Sequence, residues 1–181
     1  MHWRNAAGRY GGVAKTLHWG MALLILGMLA VGIYMVDLPG TPDKFTLYGW
    51  HKSFGATILV LAFLRFCWRL TNPQPALPEH MKPLERLLAH LSHYALYGFM
   101  FLLPMSGWLM SSAAGFPVSV FGWFTLPDLI APEKATRELF GLVHQYAAYL
   151  LIGLLVLHVA ASLLHHFYHK DDVLRRMLPG K

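Results

Sequence analysis

The stretch Leu142–His166, LVHQYAAYLLIGLLVLHVAASLLHH, is as apolar as a membrane span and yet carries four histidines. Imidazole is costly to hold among lipid tails, so an ionisable residue inside a span is a functional-site hypothesis by default. His144 and His158 lie deep in the run, while His165 and His166 close it. The first two are fourteen residues apart, about 21 Å along a helix axis. Fourteen residues are close to four helical turns, so both imidazoles leave the same face. One face of one helix thus offers two nitrogen ligands at two depths.

Working outward, three more apolar stretches cover about 16–36, 48–70 and 84–110, and the quoted one extends over about 137–168. Each has at least the ~20 residues that a spanning helix needs. Apolar residues make up 56% of the 181 and charged ones only 13%, against about a quarter charged in a soluble domain. The first stretch is too long for a signal peptide, is weakly charged at its start, and is followed by no small-residue cleavage site. The chain therefore reads as a single all-α membrane domain over 1–181. Its short loops make consecutive spans antiparallel, which predicts an up-down four-helix transmembrane bundle.

The formal charge of +6 does not point to nucleic acid, because the cations cluster at span ends. Arg4, Arg9 and Lys15 precede the first span, and Arg65, Arg69, Lys82 and Arg86 surround the second loop. Lys170, Arg175, Arg176 and Lys181 follow the last span, whereas the other side holds only Lys44, Lys52, Lys134 and Arg137. The positive-inside rule then places both termini and the second loop in the cytoplasm. The third loop, GFPVSVFGWFTLPDLIAPEK, is rich in aromatic rings that settle at the outer interface. Pro104 and Gly107 predict a kink near the outer end of the third span. Cys67 is the only cysteine, so internal disulfides are excluded and thiolate metal sites are disfavoured. Its apolar neighbours suggest a buried, inert thiol.

With this topology the depth of each histidine can be read. His18 sits near the cytoplasmic end of the first span and His51 near the outer end of the second. His144 lies in the outer half of the fourth span and His158 in its inner half, so the depths pair His18 with His158 and His51 with His144. Two pairs of neutral imidazoles facing across a bundle suit two six-coordinate haems. Gly20, Gly49, Gly55, Ala147, Ala148, Gly153, Ala160 and Ala161 lower the walls where a flat macrocycle would lie, although small residues also serve plain helix packing. The competing reading is four isolated, hydrogen-bonded histidines. His90 and His93 would bond a propionate, line a quinone pocket or simply be solvated at the interface. His165, His166 and His169 are expected in water, as are His2 and His80 in tail and loop. Arg65 and Arg69 read first as interfacial anchors, with a propionate as the alternative partner.

Taken together, these residues resemble the bacterial cytochrome b561 family of small two-haem membrane cytochromes. The carrying segments are RYGGVAKTLHW, GWHKSFG, LLAHLSHYALY, LVHQY…LHVAASLLHHF and HKDDVLRRM, and FPVSVFGWF resembles one branch of the family. They touch every span. The resemblance implies two non-covalent haem b groups, and the chain has no C-x-x-C-H attachment motif. It implies His18 and His158 as axial ligands of the cytoplasmic-side iron, and His51 and His144 of the periplasmic-side iron. It also implies a bacterial inner-membrane location and electron exchange with a membrane quinone, and at least one member passes electrons from superoxide to ubiquinone.

The expected function is electron transfer between a quinone and a second donor or acceptor, with superoxide or a periplasmic redox protein as candidates. No G-x-G-x-x-G is present, which argues against direct use of a nicotinamide. Lys44, Lys52, Lys134 and Arg137 could steer superoxide to the outer haem, or be ordinary snorkelling cations. One rival is a cytochrome b subunit anchoring a periplasmic dehydrogenase or hydrogenase. Another is a histidine-based metal transporter, disfavoured because the spans hold almost no carboxylates to balance a cation.

Overall fold

The computed structural model describes residues 3–178. His2 and Lys181, assigned above to the tails, lie outside them. Four helices dominate: α1 (Gly12–Val36), α2 (Pro42–Thr71), α3 (Pro83–Ala113) and α4 (Lys134–Leu164). All four are long and apolar enough to cross a membrane. The helices begin earlier than hydropathy predicts, since hydropathy registers the hydrocarbon-facing part of a helix and not its polar ends. Pro42 and Pro83 open α2 and α3 at the first helical position, where a missing N–H costs nothing.

The α1–α2 pair packs onto α3, and α3 packs along α4. Met21, Ile58, Ala62 and Met100 form the buried centre of the first three helices, with Leu24, Met28 and Phe101 against it. Ala62 is fully buried, and a small residue there lets the backbones approach closely. Leu23, Val60, Leu150 and Val156 are each at least 60% exposed. In water such a surface would aggregate; in a bilayer it is the lipid contact.

Pro104 sits inside a continuous α3. That helix ends on Gly115, whose positive φ allows Gly115 N–H and Phe116 N–H to donate to the carbonyls of Ser112 and Ser111. The outer loop then forms a two-stranded hairpin, β1 (Ser119–Val120) with β2 (Phe124–Thr125). Phe121 and Gly122, both at positive φ, turn it. At the other side α4 runs into a π-helical turn, His165–His169, and Lys170 in the left-handed conformation folds the tail back. Trp19 Nε1 donates to Met177 O and Lys15 Nζ to Leu178 O, which seats that tail against α1. The N-terminal turn docks through Asn5, which accepts from Gly11 N–H and donates to Pro73 O.

Candidate functional site

Helix α4 makes no extended packing with α1 or α2. What reaches across the gaps is histidine. The His18 and His158 rings have centroids 6.3 Å apart, and those of His51 and His144 are 6.2 Å apart. The pairs that face each other are the ones expected from depth. An imidazole nitrogen binds a transition metal at about 2 Å and lies about 1.1 Å from its ring centre, so two rings flanking one ion have centres about 6.2 Å apart. Both separations therefore suit one iron between each pair.

The outer pair is oriented by a backbone carbonyl, a serine hydroxyl and two glycines. His144 Nδ1 lies 3.0 Å from Leu103 O and 3.0 Å from Ser106 Oγ. Donation from Nδ1–H to the carbonyl leaves the Nε2 lone pair free, the tautomer a ligand needs. A Cβ on Gly107 would come within 3.2 Å of His144 Cε1, and one on Gly32 within 3.2 Å of His51 Cε1. These two glycines let the imidazoles approach neighbouring backbone closely. His51 Nδ1 is buried without a partner, and a buried polar atom in that state needs an explanation. Gly20, Gly49 and Gly153 have open space where a side chain would project. The walls beside the histidines are low, as a macrocycle requires.

The inner pair is more polar. Arg65 Nη2 lies 3.0 Å from His18 Nδ1, and Arg65 Nε donates to Tyr97 Oη at 3.3 Å. A guanidinium can only donate, so this contact puts the His18 proton on Nε2. Ligation through Nε2 would need the proton on Nδ1, and Arg65 would then be free to donate to another acceptor such as a propionate. Arg65 and Arg69 both lie over the Tyr97 ring. Tyr10 adjoins them, its phenol pushed up by burial against the pull of Arg69 and Arg65. Arg65, read first as an interfacial anchor, is part of the site. His93 packs edge-on to His158 with centroids 5.6 Å apart, closer than two imidazoles on opposite sides of one ion, whereas His90 is exposed.

Other side chains are held by contacts that spacing alone did not show. Lys52, a candidate steering cation, is anchored to Pro117 O at 2.9 Å, Phe116 O at 3.4 Å and Ser111 Oγ at 3.3 Å. Lys44 donates to Val36 O and Leu38 O, closing the first loop. His165, expected in water, is half-buried and pairs with Asp171. The partners of Lys52 are distant in sequence and that of His165 is set by an unusual turn, so local reading could not find them.

The family model described as prokaryotic cytochrome b561 matches residues 9–180. Cytochrome b561 homolog 2 of Escherichia coli (strain K12) is 37% identical, covering 98% of this chain and 95% of its own length. A probable superoxide oxidase CybB of Yersinia pestis is 30% identical, covering 96% and 97%. Cytochrome b561 homolog 1 of Escherichia coli (strain K12) is 27% identical, covering 96% and 98%. Facing histidines in a membrane bundle and a match along nearly the whole chain agree: this chain belongs to the prokaryotic cytochrome b561 family, integral membrane cytochromes that bind haem b and transfer electrons.

Proposed function

We propose that the chain is a single two-haem domain moving electrons across the bacterial inner membrane between an outer donor, superoxide, and a membrane quinone. The observation that carries it is the pair of facing imidazoles at each of two depths. His51 and His144 would hold the outer haem, and His18 and His158 the cytoplasmic one. Haem supplies one-electron chemistry at a potential set by axial ligands and surroundings. The protein holds the imidazoles neutral and aimed, through Leu103 O at His144. It seats the aromatic hairpin on the outer half of α2 through Ser53 and keeps a cationic, phenol-lined end beside the inner pair. A cleft lined by Gly49, Trp50, Ser53, Ser119 and Phe121 lies between the outer half of α2 and the hairpin, on the side from which a small donor would arrive.

In the overall reaction two superoxide anions each lose one electron to become dioxygen. One quinone takes both electrons with two protons to become quinol. The superoxide half is favoured by the similarity to a probable superoxide oxidase. Pyridine haemochrome assay should give about two haem b per chain, both low-spin. Anaerobic mixing with a superoxide pulse should reduce the protein, and a short-chain ubiquinone should reoxidise it. One haem or none per chain overturns the two-site reading. Two haems that superoxide leaves oxidised would overturn the donor, leaving a quinol-linked carrier or a subunit of a larger complex.

A further inference from the structure

At the cytoplasmic end, away from both facing pairs, three metal-ligating side chains converge. His80 comes from the loop between α2 and α3, His165 from the π-helical turn, and Asp171 from the tail. One ligand atom of each lies within 4.8 Å of the other two. His165 Nδ1 is 2.5 Å and His80 Nε2 is 3.4 Å from the same oxygen, Asp171 Oδ2. The carboxylate is aimed, because Val173 N–H donates to its other oxygen at 3.1 Å. Its side chain is only 10% exposed. A simple hydrogen-bonded pair accounts for His165 and Asp171 but not for the arrival of His80. Nor does it account for His169, whose ring centroid is 5.7 Å from that of His80 and 5.1 Å from that of His165.

The local backbone is what creates this convergence. A π-helical turn shifts the helix face by one residue, and such turns often mark functional sites. Lys170 then takes a left-handed conformation, φ 54°, which a non-glycine residue adopts at a cost. Asp171 N–H donates to His165 O, closing the turn. Ligands about 2.0–2.1 Å from a tetrahedral ion are about 3.4 Å apart, the separation of His80 Nε2 from Asp171 Oδ2. His165 and Asp171 are closer than that because a hydrogen bond occupies the place of the ion.

We infer that His80, His165 and Asp171 form a binding site for a borderline divalent cation, zinc being the best match, which clips the second loop to the C-terminal tail. Two imidazoles and one carboxylate suit zinc, whereas calcium and magnesium require oxygen ligands. The three protein ligands leave a fourth position for water or for the His169 imidazole. The site is separate from the haem-binding histidines and does not depend on the electron donor or acceptor.

Haem-loaded protein in detergent, free of any histidine tag, is titrated with zinc chloride and its bound zinc counted by elemental analysis after dialysis. One zinc per chain is expected, and zinc-edge X-ray absorption should show at least two imidazoles in a four-coordinate shell. His80→Ala and Asp171→Asn should each weaken binding tenfold or more while leaving the haem spectrum unchanged. Absence of stoichiometric binding, fewer than two imidazoles at the edge, or affinity unchanged from the unsubstituted protein in both variants overturns the site. If a variant loses haem through misfolding, the edge spectrum of the unsubstituted protein decides alone.

Discussion

At the scale of single residues, the two facing pairs differ in what supports them. His51 and His144 each rest on a glycine, Gly32 and Gly107, and neither inner histidine does among the described residues. Gly107→Val would place branched carbon against His144, where even one Cβ comes within 3.2 Å. On the proposed two-haem reading, the outer haem should be lost or strongly depleted while the inner one stays, read as about half the α-band absorbance and one surviving potential in a redox titration. Loss of both haems would show that the sites are not independent. The inner pair has instead a cation beside it. A positive charge favours the reduced, more negative iron centre, so Arg65→Gln should lower one midpoint potential by an amount on the order of tens of millivolts. The other midpoint should hold. A rise, or equal shifts in both, would count against Arg65 as a neighbour of the inner haem.

At the scale of elements, the outer hairpin and the cytoplasmic tail are secondary structure too short to stand alone. Ser53, buried on α2, accepts from Phe121 N–H at 3.0 Å and donates to Ser119 O at 3.0 Å. Phe121 packs edge-on to Phe54 and tilted against Trp50 and turns at φ 51°. Removing the hydroxyl in Ser53→Ala strands a backbone donor, at a cost of about 1–3 kcal/mol. Hydrogen exchange should therefore accelerate across 116–126 and little elsewhere. The tail answers to pH through Asp171. Burial raises its carboxyl, but the hydrogen bonds from His165 and Val173 N–H outweigh burial and hold it below the ordinary range. A carboxyl depressed in the folded state contributes stability above its unfolded value, about 3.9, and loses it as pH falls through the folded one. A spin label at Arg175→Cys, in a Cys67→Ser background, should stay immobile at neutral pH and become mobile below about pH 4. Asp171→Asn should give the mobile spectrum already at neutral pH. An immobile label in that variant would mean that Trp19 and Lys15 suffice to seat the tail.

At the scale of the molecule, charge separates the two faces, but not in the manner that steering would need. The outer loops and adjoining helix ends set Lys44, Lys52, Lys134 and Arg137 against Asp37, Asp43, Asp128, Glu133 and Glu138. Lys52 is tied to loop carbonyls, and Lys134 lies 3.9 Å from Glu138. With no cationic excess, long-range attraction of a small anion is weak. Stopped-flow reduction by superoxide should thus change by less than about twofold between 20 and 200 mM salt, although the Debye length shortens about threefold over that range. A steep fall with salt would restore a steering role for the outer cations.

The four spans, their order and the depth of each histidine follow from the chain itself, because crossing a bilayer demands a length and an apolarity that few sequences show by accident. Helical periodicity likewise puts His144 and His158 on one face of α4. Which neighbours meet them is partly legible, since antiparallel spans bring only certain depths together. What the sequence could not determine is every contact made by a side chain reaching to a remote backbone atom. The Leu103 carbonyl on His144 and the hold of Lys52 on Phe116 and Pro117 are of this kind. So is the meeting of His80, His165 and Asp171, which needs a π-helical turn and a left-handed lysine that no local propensity announces. Hydropathy and period are properties of a segment, whereas these contacts are set by the free energy of packing one segment on another. Tertiary structure alone decides them.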